Sequence, residues 1–144
     1  MICMGLEMRK LREIVGELCK VHGCTYAILF GSQACGVAKP YSDIDIAVKF
    51  RGNVDYLKGA FEMASDLEER LGIHVDVIAV NVADTILKYE VFSNGMLLYC
   101  ENYDEYMDDF INSIDEWLDF QYHFNKFYNR VIKEMRDAIS RSES

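Results

Sequence analysis

Apolar and polar residues alternate along the chain in patterns that predict a series of helices and short strands. Within residues 6–22 the apolar positions repeat every three or four residues, which is typical of an amphipathic helix, and Gly23 follows as a stop. Four short apolar runs predict strands, at residues 25–30, 43–50, 73–80 and 96–100.

Two more helices are predicted between these strands. We predict that Asn53 caps the first of these helices and that this helix ends near Gly72. The second is a short helix predicted over residues 84–94. The apolar face of the first of these helices is predicted to contain Val54, Leu57, Phe61, Ala64, Leu67 and Leu71. The element order indicates an α/β fold in which helices flank a small mixed sheet.

Everything after Glu101 has a helical pattern. The apolar positions that follow this rhythm are Tyr103, Met107, Phe110, Ile111, Ile114, Trp117, Leu118, Phe124, Tyr128, Val131, Ile132, Met135 and Ile139. We expect these helices to fold back on the sheet, and the alternative is that part of the stripe contacts another protein. Residues 1–100 are predicted to form the core, and residues 101–144 a helical C-terminal extension of the same domain.

Composition narrows the function classes. A net charge of −9 argues against broad electrostatic binding to nucleic acid. No apolar run approaches the roughly 20 residues of a membrane span. Five scattered cysteines with no C-x-x-C pair indicate reduced thiols and a cytoplasmic protein. Eight acidic residues and no lysine or arginine occupy 101–119, which predicts either a solvated helix face or a docking surface for a basic partner.

The candidate chemistry lies around a Gly-Ser pair. Gly31 and Ser32 end a predicted strand, Asp43 and Asp45 begin the next after ten intervening residues, and Asp76 lies in a later strand. A glycine lets the backbone approach a ligand, and the serine hydroxyl and following amides can donate to phosphate. Carboxylates at i and i+2 share one strand face, where they could hold two magnesium ions for nucleotidyl transfer. Asp76 would add a third carboxylate that binds metal and accepts a proton.

This arrangement resembles the DNA polymerase β-type nucleotidyltransferase superfamily. The short length and the sequence SDID resemble the minimal nucleotidyltransferases (MNT), the antitoxins of HEPN/MNT toxin–antitoxin modules, with the likeness concentrated in residues 25–80. The resemblance implies ATP, Mg²⁺ and transfer of AMP to a tyrosine of a HEPN ribonuclease toxin encoded beside the chain. It assigns the triphosphate to Gly31 and Ser32, metal to Asp43 and Asp45, and the role of third carboxylate to Asp76.

One position departs from the family pattern. Cys35 stands where the family usually has an arginine that helps to hold the triphosphate. Lys39 in the same loop could replace that charge, or it could be a solvated loop residue. His74 shares a strand face with Asp76, and we expect a structural histidine there more than a site residue.

The leading hypothesis is an antitoxin enzyme that binds its cognate HEPN toxin in a complex and modifies it, without contacting nucleic acid or membrane directly. One alternative is a nucleotidyltransferase with a small-molecule acceptor, such as an aminoglycoside, although the chain has little room for an acceptor domain. The other is a non-catalytic binding module that masks the toxin. The intact Asp43, Asp45 and Asp76 oppose this last hypothesis, and Cys35 supports it.

Overall fold

The computed structural model describes residues 8–31 and 44–143. Within them, four strands form one sheet in the order β3-β2-β1-β4, in which only the β2–β3 pair is parallel. The elements in chain order are α1 (Met8–His22), β1 (Cys24–Phe30), β2 (Ile44–Phe50), α2 (Tyr56–Leu71), β3 (Val75–Ala79), a 3-10 turn (Val80–Val82), α3 (Thr85–Asn94), β4 (Met96–Cys100) and α4 (Tyr103–Glu143). The predicted α/β class with a small mixed sheet is confirmed.

Side chains on the two faces of the sheet form two cores. On one face, α1 and α2 cover strand residues such as Leu29, Ile46 and Val75. On the other, α3 and the first part of α4 cover Ile28 and Ala47. Because strand residues alternate between faces, this division also fixes which face each polar strand residue occupies.

The α2 helix differs from the prediction in its cap and in its buried face. Asp55, not Asn53, is the N-cap, and its side chain accepts a hydrogen bond from the Lys58 amide at 3.1 Å. A Cβ built on Gly59 would lie 3.0 Å from the Phe50 ring, so small residues bring this turn close to the sheet. The buried positions are Ala60, Met63 and Leu67, whereas Leu57 and Phe61, predicted to be buried, are 79% and 76% exposed.

The C-terminal region is one continuous helix of 41 residues, about 60 Å long. Its first half packs on the sheet through Asp109, which accepts hydrogen bonds from Tyr26 at 2.7 Å and Lys49 at 2.6 Å. The expectation that the helical region folds back as a whole is wrong, because residues 103–143 contain no glycine or proline to turn the chain.

The C-terminal part of α4, residues 118–143, is called the distal segment. Most of its large apolar side chains are exposed, namely Leu118, Phe120, Tyr122, Phe124, Phe127, Tyr128, Met135 and Ile139. No helix in the described parts of the chain is long and apolar enough to cross a membrane. The exposed stripe favours the alternative in which part of it contacts another protein.

Candidate active site

Two of the predicted carboxylates lie side by side. Asp45 and Asp76 are direct register partners on the parallel strands β2 and β3, whose backbones run about 4.8 Å apart. Both belong to the sheet face covered by α3 and α4. Side chains alternate between the two faces along a strand, and the adjacent residues Ile46 and Val75 are buried on the opposite face. The ladder is closed at this end by the Ile44 amide, which donates to the His74 carbonyl at 3.2 Å. The sheet thus brings two carboxylates to one point, as predicted.

Gly31 lies against one of these carboxylates. It follows Phe30, which pairs with Asp45 across β1 and β2, and its φ is +76°. A Cβ built on Gly31 would lie 2.5 Å from Asp45 Oδ2, closer than any real contact of this kind. Both the left-handed backbone and the space for the carboxylate therefore require glycine at this position.

Asp76 has a histidine neighbour that connects it to α2. His74 Nε2 lies 3.1 Å from Asp76 Oδ1, and His74 Nδ1 lies 3.4 Å from Glu68 Oε1. His74 therefore borders the candidate site, and its two carboxylate neighbours agree with the structural histidine expected from the sequence. Glu68 was not anticipated, because the sequence alone does not show which turn of α2 faces the start of β3.

The other predicted site residues, Ser32, Lys39 and Asp43, lie outside the described residues, as does Cys35. In residues 8–31 and 44–143, no group of three His, Cys, Asp or Glu side chains is placed to hold a metal ion. The two neighbouring carboxylates still fit magnesium, which prefers hard oxygen ligands and completes its shell with water or phosphate. The space that a side chain at Gly31 would need is occupied by the Asp45 carboxylate.

A second polar cluster on the same face joins the sheet to α4. Lys49 lies two pleats beyond Asp45 on β2 and forms an ion pair with Asp109, to which Tyr26 also donates. Burial and the neighbouring Asp109 carboxylate raise the pKa of Tyr26 well above its usual range, so the phenol stays protonated and keeps donating. This cluster positions α4, and we assign it no chemistry.

The chain is similar in sequence to proteins of one known family. Residues 12–104 match the family model described as Polymerase beta, Nucleotidyltransferase, and the chain belongs to that family. A Methanocaldococcus jannaschii protein named as a putative protein adenylyltransferase is 38% identical over 85 residues, which cover 59% of this chain and 89% of the relative. The alignment thus covers most of the relative but leaves about two fifths of this chain unmatched.

Solved structures match more of the chain. A toxin–antitoxin structure with AMP-PNP aligns with a TM-score of 0.71 at 24% identity, covering 84% of this chain and 98% of that one. The MNT antitoxin complex with the tri-AMPylated HEPN toxin of Shewanella oneidensis aligns with a TM-score of 0.70 at 21% identity, covering 88% and 99%. At these identities the likeness shows the fold alone. In both cases, however, the aligned share of this chain is larger than the share that precedes α4. These structures therefore also match part of that helix.

Proposed function

We propose that this protein transfers AMP from ATP to a tyrosine of a HEPN ribonuclease toxin and thereby neutralises it. The observation that carries the proposal is the register pairing of Asp45 with Asp76 beside Gly31, in a chain of the nucleotidyltransferase family. The matched fold occurs in a toxin–antitoxin structure with AMP-PNP, which supports the nucleotide donor, and in a complex of an MNT antitoxin with tri-AMPylated HEPN toxin, which supports the acceptor protein.

Each residue has a role in this reaction. The tyrosine oxygen bonds to the α-phosphorus of ATP, the bond from that phosphorus to the bridging oxygen breaks, and pyrophosphate leaves. Asp76, at the exposed edge of the sheet, accepts the phenolic proton at a carboxylate oxygen. Gly31 and Ser32 hold the triphosphate through backbone amides and the serine hydroxyl, and Lys39 adds a point charge.

Asp43, Asp45 and Asp76 are the residues that would hold Mg²⁺, with two ions expected. When bound, the metal neutralises phosphate charge and stabilises the attacking and leaving oxygens. The protein contributes the fixed spacing of its carboxylates, which the β2–β3 ladder imposes on Asp45 and Asp76 before any ligand binds.

Partner binding is assigned to α4, in a cytoplasmic complex with the toxin. Several acids of segment 101–119 are already engaged within the chain: Glu101 with Arg51, Asp109 with Lys49, and Glu116 with Lys88. Asp104, Asp108 and Asp115 are exposed and remain for a basic partner surface. The distal segment adds apolar side chains that one small domain does not cover.

The test is transfer of label from α-phosphate-labelled ATP to the HEPN protein of the neighbouring reading frame. Asp45→Asn and Asp76→Asn should each lower labelling by at least about 100-fold, because they remove charge or proton-accepting capacity while keeping side-chain shape. Glu13→Gln, which neutralises an exposed carboxylate on α1, is the control and should label at the wild-type rate.

The same assay separates this proposal from the alternatives. Undiminished labelling by both site variants would remove these carboxylates from the mechanism. Toxin neutralisation without any labelling by the wild type would favour a masking module. Labelling of an aminoglycoside but not of the HEPN protein would favour a small-molecule acceptor.

A further inference from the structure

The two neighbouring carboxylates of the candidate site differ in how they are held. Asp45 lies on an inner strand, and its carboxylate occupies the space beside Gly31. Asp76 lies on β3, which is at the edge of the sheet among the described strands, and its side chain is 55% exposed. A carboxylate in this setting can rotate about its side-chain torsions unless another group holds it.

His74 is the residue that contacts this carboxylate. It lies two residues before Asp76, at the spacing of side chains that share a strand face, and His74 Nε2 lies 3.1 Å from Asp76 Oδ1. A carboxylate oxygen accepts hydrogen bonds, so the ring donates from Nε2 in this contact. The main chain of His74 is itself fixed, because its carbonyl accepts a hydrogen bond from the Ile44 amide at 3.2 Å. The donor therefore belongs to a residue whose backbone is bonded to β2.

The last turn of α2 lies on the other side of the His74 ring. Gly72 ends α2 with φ +70°, and its amide donates to the Glu68 carbonyl at 2.8 Å, so the chain turns back at once towards β3. His74 Nδ1 then lies 3.4 Å from Glu68 Oε1. The imidazole is thus enclosed between a carboxylate of α2 and a carboxylate of β3, and each ring nitrogen has a different neighbour.

We propose that His74 is a positioning residue that orients the Asp76 carboxylate for the transfer reaction. The inference rests on the proposed function and adds to it a residue that acts through Asp76 without touching the substrate. While His74 holds Oδ1, the other oxygen of Asp76 keeps one direction, in which it can accept the phenolic proton. Side chains that orient a reacting group commonly contribute roughly 10- to 100-fold in activity. For this half-exposed pair we expect the lower end of that range.

The experiment measures the rate of AMP transfer against the concentration of the HEPN protein and, separately, of ATP, using full-length protein at saturating Mg²⁺. His74→Ala should lower kcat about tenfold and change both KM values by less than about twofold, because the ring contacts neither reactant. His74→Gln should recover most of the kcat, since its amide nitrogen reaches the position of Nε2. His74→Asn should recover little, since its shorter amide reaches only the position of Nδ1, on the Glu68 side.

A double-mutant cycle separates this role from a general effect on the fold. His74→Ala should cost about tenfold in the wild-type background and less than about twofold in an Asp76→Asn background, because its effect acts through Asp76. His22→Gln is the matched control. His22 Nε2 also contacts a carboxylate, Asp66 Oδ2 at 2.7 Å, but this pair joins α1 to α2. The control should keep the wild-type kcat.

Thermal unfolding shows whether the variants are folded. Because His74 is half-exposed, each His74 variant should unfold within about 3 °C of wild type. Equal losses of kcat in the two backgrounds, or the same loss in His22→Gln, would overturn the positioning role, and so would equal kcat values for His74→Gln and His74→Asn. A wild type that labels no HEPN protein would instead refute the proposed function.

Discussion

The close approach of Gly31 to Asp45 provides a test of the site that needs no change to a carboxylate. Gly31→Ala forces an L residue to adopt φ +76°, which costs about 1–2 kcal/mol. For a domain of this size that corresponds to a melting temperature lower by about 3–8 °C. The new Cβ would also lie 2.5 Å from Asp45 Oδ2, whereas ordinary carbon–oxygen contacts are about 3.3 Å. The Asp45 carboxylate must therefore shift by about 0.8 Å.

That displacement should affect chemistry far more than stability. A misplacement of about 1 Å at a reacting site can cost roughly 100-fold in rate, so we expect AMP transfer by Gly31→Ala to fall by about that factor. Gly23→Ala is the matched control, because Gly23 has φ +75° and nothing within 4 Å of a built Cβ. It should lose similar stability and keep its transfer rate.

The assay combines thermal unfolding with transfer of labelled AMP under saturating ATP and metal. We expect the melting temperatures of Gly31→Ala and Gly23→Ala to fall by similar amounts, while only Gly31→Ala loses AMP transfer. That result would confirm that glycine at position 31 preserves the position of the Asp45 carboxylate. If Gly31→Ala transfers AMP within a few-fold of Gly23→Ala, the close approach has no catalytic consequence, and the reasoning about this site is wrong.

Two further predictions concern α4. Reversing the exposed Asp104, Asp108 and Asp115 to lysine should slow association with the HEPN protein several-fold at low salt and less at high salt, where screening acts over about 10 Å. Stopped-flow measurement of the association rate would test this, with a control variant in which Glu13, Glu62 and Glu69 are reversed to lysine instead. Identical association rates for the two variants would mean that the acidic run is only a solvated face. Removing residues 122–144 should leave the melting temperature within about 3 °C of wild type but weaken partner capture. A large loss of stability would show that the distal segment supports its own domain.

Hydrophobic patterns predicted the strands and α-helices of the described core, because repeats of two and of three to four residues are local properties. The 3-10 turn at Val80–Val82 was not predicted, since residue 80 was assigned to the third strand. The pairing of Asp45 with Asp76 was expected only on the condition that their strands are neighbours, and the β2–β3 register confirms that condition. Gly31 was predicted to let the backbone approach a ligand, and that stays a prediction. Its close contact with the Asp45 carboxylate was not predicted.

The predictions that were wrong depended on contacts between secondary-structure elements. Leu57 and Phe61 have the spacing of a buried face, but Gly59 and Ala60 let α2 approach the sheet on a different stripe, which turns the larger side chains outward. Similarly, the apolar pattern of α4 does not indicate whether its apolar side chains pack against the same chain or against another protein. The absence of glycine and proline from residues 103–143 was available in the sequence and argues for a continuous helix.

The length of α4 explains how a small catalytic domain could select a protein acceptor. In the proposed complex the first part of α4 fixes the helix on the sheet, and the exposed apolar side chains of the distal segment contribute much of the affinity. Once a partner is held there, arrival of its tyrosine at Asp76 is an intramolecular event, for which short flexible connections give effective concentrations in the millimolar range. The candidate site then has only to orient the acceptor hydroxyl beside the neighbouring residues Asp45 and Asp76.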